Sequence, residues 1–470
     1  MERTTIFVVA AMSLAQGMVF YDISAIGIAL PEMRNALELN SATLPWVVNA
    51  YIVSYAACVA VAGRLGDAIG TRATFCMGVG FFLLGSALAG ATPHLHHQSA
   101  SWILTARVIQ GVGGALIMPT SLAIVLKLVP KERRGRIVGY VVSGAQAIFV
   151  MGPLLGGVLA QHVSWRGVFY LALPAGIAAL AIVASISWTE QQSGKSKAEL
   201  SGYLGLSAVL ASGLALLVFG LQDTSGASQL GVLPVAAIAI GIGLLFVFAV
   251  LNRLARHKLL PLKLFKASRY RHFSFAVACT QMFAVAVCVF VPQALQIEFQ
   301  LSPSVAGFVL LAFVGGWIVV VPVTGRVFDK FGPYHLLLVG PSITLAGFVV
   351  FDAGSYRGSL LYSVLGLFIA GVGTGLTVLP SYVSAVAVGD DTERGSVVGL
   401  TQTIRQVAGS LSIALLSGVF VFSAPQAPMG YAAVGPGYRW MILLLLFSVV
   451  VNAVFYLGHR KGAKKGAEKA

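Results

Sequence analysis

Apolar positions in this chain come in long unbroken runs, not in alternation. Fourteen such runs follow one another, near 4–30, 43–62, 73–91, 101–126, 136–160, 167–188, 203–221, 230–251, 272–297, 304–324, 334–353, 359–386, 396–421 and 438–458. A bilayer core of ~30 Å takes roughly 20 residues of helix. Each run therefore predicts one membrane-spanning helix. A membrane β-barrel would instead show alternating segments of about ten residues. Polar positions are confined to the breaks. The longest breaks, Trp188 to Leu200 and Asn252 to His272, are too short for a soluble domain. The first run continues through "DISAIGIALP" with no basic leader and no small-residue cleavage site, so it reads as helix 1 and not as a signal peptide.

Composition agrees with lipid as the solvent. The chain is 57% hydrophobic and 10% charged, with mean hydropathy +0.88, where a soluble domain carries about 25% charged residues. The net charge of +15 raises the question of nucleic acid, but its placement answers otherwise. With the N-terminus cytoplasmic, nearly all Lys and Arg fall in cytoplasmic segments. Arg34, Arg166, Arg357 and Arg439 fall outside, and Arg107 and Arg405 fall within helices. That is the positive-inside bias of a membrane protein, and it predicts a multi-pass plasma (inner) membrane protein with both termini cytoplasmic and no nucleic-acid partner. The basic stretch from Arg253 to Arg271 holds no acid and suits anionic lipid headgroups, as does the tail "HRKGAKKGAEKA". Cys58, Cys76, Cys279 and Cys288 read as apolar fillers. His94, His96 and His97 read as a solvated loop, not a metal site.

An internal repeat organises the runs. "GRLGDAIG" at Gly63 returns as "GRVFDKFG" at Gly325. "GVGGALIMPTSLAIV" at Gly111 returns as "GVGTGLTVLPSYVSAV" at Gly371, and "ERRGRIVGY" at Glu132 as "TERGSVVGL" at Thr392. Three matches in order at one spacing, about 260 residues, indicate a duplication of six helices. The expected fold is all-α: two six-helix bundles in parallel orientation, with two extra helices between them. The expected domains are a first bundle at 1–190, inserted helices at 200–252, a basic linker at 253–271, a second bundle at 272–458 and a tail at 459–470. The twelve-helix core is complete without the insertion, so the inserted pair should lie outside it. Glycine and acid also mark "VAGRLGDAIGTR". Gly63 and Gly70 suit a tight turn, and Arg64 and Arg72 obey the charge bias, but topology alone calls for no acid at Asp67 or at its echo Asp329.

These stretches together resemble the major facilitator superfamily, in its 14-helix drug:proton antiporter branch. "GRLGDAIGTR" is similar to that family's loop 2–3 signature, and "LTARVIQGVGGA" to its helix 4 signature. "GYVVSGAQAIFVMGPLLGG", with Gly139, Gly152, Pro153, Gly156 and Gly157, is similar to its helix 5 antiporter signature, and "YDISAIGIALP" to its helix 1 signature. The branch usually carries Thr at Ser24, Asn at Gly27 and Gly at Ile148. The resemblance implies alternating access between two bundles. It also implies a conformational lock made by Gly63, Arg64, Asp67, Gly70, Arg72 and Asp329.

An ionisable group inside the membrane is costly and marks a functional site by default. Asp22, well inside helix 1, is the expected proton carrier: desolvation opposes its charged form, so it can take up and release a proton. Arg107 is similar to the family's arginine tied to proton transfer. A structural role for each is the alternative. Between the bundles, Met18, Tyr51, Tyr55, Gln110, Met118, Gln146, Gln281, Gln293, Gln402, Arg405 and Gln406 are candidate walls of a substrate cavity, since aromatic, Met and amide groups suit amphipathic ligands. Arg405 either meets an anionic substrate group or braces its helix. No ATP-binding loop, CxxC pair or nucleophile elbow occurs, so no enzyme chemistry and no cofactor are expected, the drive being a proton gradient. The expected function is proton-coupled efflux of amphipathic drugs by a monomer whose partners are the substrate, protons and lipids. A dedicated exporter of one metabolite, siderophore or lipid is one alternative. A receptor or assembly factor on a transporter scaffold is another.

Overall fold

The computed structural model describes residues 3–40, 43–93, 96–130, 133–186, 197–226, 231–256, 258–389, 394–417, 419 and 430–467. His94 lies outside them. Among the described residues the secondary structure is helical and holds no strand. The first six helices are α1 (Arg3–Leu37), α2 (Trp46–Ile69), α3 (Thr71–Gly90), α4 (His96–Leu128), α5 (Arg134–His162) and α6 (Arg166–Ser185). A pair follows, α7 (Lys197–Gly226) and α8 (Val232–Leu254). The second six are α9 (Ser268–Glu298), α10 (Pro303–Phe331), α11 (Pro333–Tyr356), α12 (Leu360–Val386), α13 (Arg394–Ser417) and α14 (Tyr431–Ala467).

Thirteen of these helices are long and apolar enough to cross a membrane. The exception is α13. Its 24 residues reach about 36 Å at 1.5 Å per residue, enough to span. Its hydropathy is lowered by Thr401, Gln402, Thr403, Arg405 and Gln406, all within one stretch. A spanning helix tolerates such polarity when it faces protein or a cavity in place of lipid.

The duplication is visible in the packing. In the first bundle α1 packs on α4, α5 and α6, α4 packs on α2 and α3, and α3 packs on α6. In the second bundle α9 packs on α12, α13 and α14, α12 packs on α10 and α11, and α11 packs on α14. Adding eight to each helix number converts one set into the other. Between the bundles α2 meets α13, α5 meets α10, and α1 meets α9. Exchanging the bundles swaps the first two contacts and returns the third to itself, which is the signature of a twofold axis along the membrane normal.

Repeated glycines build the repeated contacts. In lipid no hydrophobic force drives helices together, so close approach over small residues does. A Cβ on Gly113 would collide with the Phe82 backbone, and one on Gly373 with the Thr344 backbone, which seats α3 on α4 and α11 on α12 alike. The turns between α2 and α3 and between α10 and α11 each consist of one glycine, Gly70 at φ 99° and Gly332 at φ 74°. An L side chain is strained there, which explains the glycine in each copy of the repeated stretch.

The inserted pair lies at the periphery. Of the most apolar window of α8, 22% is buried inside the protein, against 78% for α2. Helix α7 packs on α8, α2 and α13. Ser207 on α7 donates a hydrogen bond to the Ala57 carbonyl (2.8 Å). Residues 255–267 connect α8 to α9. Asn252 pins this connection by accepting from the backbone N–H of Leu259 and Leu260 and donating to the Leu260 carbonyl. Leu259, Leu260 and Leu264 are buried, while all seven basic residues from Arg253 to Arg271 stay exposed. That end of the molecule, which also carries the α2–α3 turn, is called the basic end below.

Candidate functional site

Helix α1 presents different faces to α4 and to the centre of the molecule. Toward α4 it presents Asp22, with 2% of its surface exposed. Arg107 on α4 is fully buried. Its Nη1 donates to both carboxylate oxygens of Asp22 at 2.8 Å and to Oε1 of Gln110 at 2.6 Å. Its Nε donates to the Val47 carbonyl at 2.7 Å. Gln110 then donates to Asp22 Oδ1 and to Ser86 Oγ, each at 2.9 Å. The guanidinium lies 4.6 Å from the Tyr51 ring centroid and 5.7 Å from that of Phe169. Burying two charges is costly, and such a pair persists only when geometry and extra hydrogen bonds repay the desolvation. Here α1, α2, α3 and α4 all contribute groups. The Arg107 Nη2 is left buried without a hydrogen-bond partner.

Toward the centre α1 presents Val19, Phe20 and Ile23, which line a cavity of about 40 Å³ between the bundles. Tyr55, Met118 and Phe149 complete its wall in the first bundle. Gln281, Ala284, Val285, Cys288, Trp317, Gln402, Arg405 and Gln406 form the wall in the second. Neither α7 nor α8 contributes, in keeping with their place outside the core. Arg405 donates from Nε to Gln281 Oε1 at 2.6 Å.

Six of the expected wall residues thus meet at one place: Tyr55, Met118, Gln281, Gln402, Arg405 and Gln406. The others lie elsewhere. Gln110 and Tyr51 are drawn to Arg107, Met18 is buried in the core, and Gln146 sits on α5 away from the lining. Gln293 spends its amide on its own helix, donating to the Val289 carbonyl at 2.6 Å. The apolar lining was not foreseen, although the repeat contained a signal for part of it: the offset of 262 that relates Gly63 to Gly325 also relates Tyr55 to Trp317. Ser86 lies in no motif and is placed by packing alone, and Phe169, within the stretch "SWRGVFYLALPAG", was not singled out as a site residue. Glu298, on α9, receives hydrogen bonds from Ser355 on α11 (2.8 Å) and Tyr438 on α14 (3.2 Å) and so ties three helices of the second bundle.

The helix 5 motif divides between two neighbours. A Cβ on Gly152 or Gly156 would collide with Ser24 or Ala25 of α1, and one on Gly157 with Pro303 and Ser304 of α10. Gly307 of α10 faces the Pro153 carbonyl in the same way. Gly139 has nothing near it. The three departures from the resembling pattern are accommodated. The Ile148 side chain fills the notch above Gly17, Ser24 Oγ donates to the Phe149 carbonyl at 3.0 Å, and Gly27 admits the Cys288 carbonyl of α9.

At the basic end Gly63 has open space around it, and Asp67 and Asp329 are exposed in the last turns of α2 and α10. Arg64 crosses between bundles. Its Nη2 donates to Ser396 Oγ on α13 at 2.9 Å and to the Lys258 carbonyl at 3.5 Å. Arg72 stays within its own bundle and donates to the Val183 and Ala184 carbonyls at 3.1 and 3.2 Å, capping α6.

The sequence matches the family model described as Major Facilitator Superfamily over residues 12–413 and 273–470. It is 29% identical to the multidrug resistance protein Stp of Mycobacterium tuberculosis over 423 residues, covering 89% of this chain and 76% of Stp. It is 31% identical to the tetracenomycin C resistance and export protein of Streptomyces glaucescens over 426 residues, covering 88% and 75%. Among solved structures, a D-xylose–proton symporter superposes with a TM-score of 0.68 at 14% identity, covering 94% of this chain and 97% of that one. A peptide transporter crystallised with sulfate superposes with a TM-score of 0.71 at 16% identity, covering 97% and 94%. At those identities the solved structures speak for the fold alone.

Proposed function

The chain belongs to the major facilitator superfamily of membrane transporters, and from that premise we propose that it exports amphipathic small molecules across the plasma membrane in exchange for protons, with Asp22 binding the proton. The observation that carries the proposal is the Asp22–Arg107–Gln110 cluster lying behind the cavity wall. One helix holds the carboxylate on one face and Val19, Phe20 and Ile23 on another. A proton on Asp22 cancels the charge that holds Arg107 and frees α1 to shift at the residues that touch substrate. Substrate pressing on Ile23 acts on the same helix from the other side. Proton and substrate thus compete through α1 without sharing a contact.

The resemblance to multidrug and antibiotic export proteins supports the direction of transport, and the charge bias supports a cytoplasmic basic end. The protein is read as a monomer with no cofactor. Likeness to a tetracenomycin C export protein favours a dedicated exporter of one natural product as the second reading. Flux in proteoliposomes tests the first. A pH gradient that moves protons in as substrate leaves should raise the rate at least tenfold, and equal rates with and without the gradient would remove proton coupling. An unbiased substrate screen in the same vesicles separates many substrates from one.

In this reading Arg64, with Asp67 one turn away, locks the basic ends of the bundles together. A net hydrogen bond to a charged group contributes about 1.5–3 kcal/mol, and 1.4 kcal/mol is about tenfold in a population. Arg64→Ala should therefore move the population at least tenfold toward conformers with the basic ends of α2 and α13 apart, and Asp67→Asn should act in the same direction. Spin-label distances between those ends are the measurement. Unchanged distributions would leave the stretch as a turn that obeys the charge bias.

A further inference from the structure

We propose that the central cavity selects amphipathic anions, aromatic molecules bearing a carboxylate or an ionised hydroxyl, and that Arg405 holds the anionic group. The inference rests on reading the cavity as the substrate site.

The charge of the cavity decides the sign of its ligand. Of the residues that line it, Arg405 is the one with a charged side chain, and no acid is among them. Asp22, the carboxylate that a cationic drug would seek, is turned away into the first bundle and neutralised by Arg107. The two membrane-depth arginines therefore differ in one respect. Arg107 has a carboxylate at 2.8 Å. Arg405 has an amide, Gln281, on its Nε, and no acid among the described residues forms an ion pair with it.

An arginine at this depth without a counter-ion is costly, and it is not a remnant of the duplication. The spacing that relates Gly139 to Gly399 and Gln146 to Gln406 sets Ala145 opposite Arg405. The first bundle thus places a methyl group where the second places a guanidinium. Gln281 holds the guanidinium from one side and so fixes its plane. The donors left over form a planar fork, the geometry that binds a carboxylate or another oxyanion in a bidentate way.

The remaining wall describes the body of the ligand. Phe20, Phe149 and Trp317 present aromatic faces, with Phe149 and Trp317 5.8 Å apart in an edge-on arrangement. Gln402, Gln406 and Tyr55 add neutral polar groups. A flat ring system with an anionic edge matches both parts. A cation of the same shape would meet Arg405 as a like charge with no acid to offset it. At about 40 Å³ the cavity takes a few waters in this conformation. Its wall comes from both bundles, so parting them enlarges it around the same residues.

The test is equilibrium binding by the full chain in phosphatidylcholine nanodiscs with no proton gradient. The probes are fluorescein and rhodamine 123, which share a xanthene ring system and carry opposite charge, read by fluorescence anisotropy. Fluorescein should bind at least tenfold tighter than rhodamine 123. Arg405→Gln should weaken fluorescein at least tenfold and leave rhodamine 123 unchanged or tighter, and Arg405→Lys should retain part of the fluorescein affinity. Equal or tighter binding of rhodamine 123 by the wild-type protein, or no fluorescein binding, overturns the inference even where the variants fail to fold. No gradient enters this measurement. Failure of charge selection and failure of proton coupling are therefore read from separate experiments.

Discussion

Asp22→Asn should reduce transport driven by a pH gradient to background, and adding Arg107→Gln should restore the fold without restoring transport. The two roles open to this pair, proton site and structural brace, separate on that double variant. Removing one partner of a buried ion pair costs about 3–5 kcal/mol because the other charge stays buried and uncompensated. Asp22→Asn leaves Arg107 in that condition, with a fully buried guanidinium facing an amide. Replacing both partners by neutral groups of similar shape is often neutral or stabilising, so the double variant should recover the thermal stability lost in the single one. A brace needs shape and hydrogen bonds, which two amides provide. A proton site needs a group that ionises, which they do not. Thermal unfolding in detergent and flux in proteoliposomes report the two properties. Gradient-driven transport by the double variant would place the proton on another group.

Gly307→Ala should lower turnover at least tenfold and hold the bundles apart at the end away from the basic one. A Cβ at this position would stand inside the Pro153 carbonyl of α5. Backbone cannot rotate away as a flexible side chain can, so relief comes from separating α5 and α10. The same seam already carries hydrogen bonds from Ser304 to the Gly157 carbonyl and from the Ser304 N–H to Gln161, each at 3.2 Å, and a wedge would break both. A contact made in one conformation and lost in another sets their relative populations. Spin labels at Val158 and Val305 should report a longer distance in the variant. Gly315→Ala on the same helix has open space around its Cβ and should behave as wild type. Wild-type turnover and distances in Gly307→Ala would show that the seam closes without tight packing.

The architecture was legible because membrane helices obey a length rule and because the chain repeats itself. The repeat gave a second count of the helices independent of hydropathy, which kept α13 in the fold although its glutamines and Arg405 make it too polar for a hydropathy threshold. Asp22 and Arg107 were legible as a pair, because a charge in lipid is costly enough to stand out. Gln110 was read as a cavity wall, and packing instead turns it onto Arg107, Asp22 and Ser86. The division of α1 into a face that meets Arg107 and a face that lines the cavity was not legible, since it depends on the rotation of α1 against α4, and rotation is set by packing. The same limit hid the fate of Gln293, which bonds to its own helix, and of Tyr51, which stacks on Arg107. Trp317 was within reach, because the repeat offset pairs it with Tyr55. Phe149 was not, because the same repeat pairs it with Gly409.

Helix α7 packs against both α2 and α13 and so sheathes the seam where they meet, with Ser207 bonded to α2 and Asn49 of α2 bonded to Gln222 of α7 (3.5 Å) and to Ser410 of α13 (3.0 Å). The twofold axis makes the α5–α10 seam the counterpart of this one, and neither α7 nor α8 packs there. The two seams are therefore unequal. One is covered by an extra helix. The other is two glycine-lined backbones without that cover, so a solute that approached the centre sideways would meet one uncovered seam and not two.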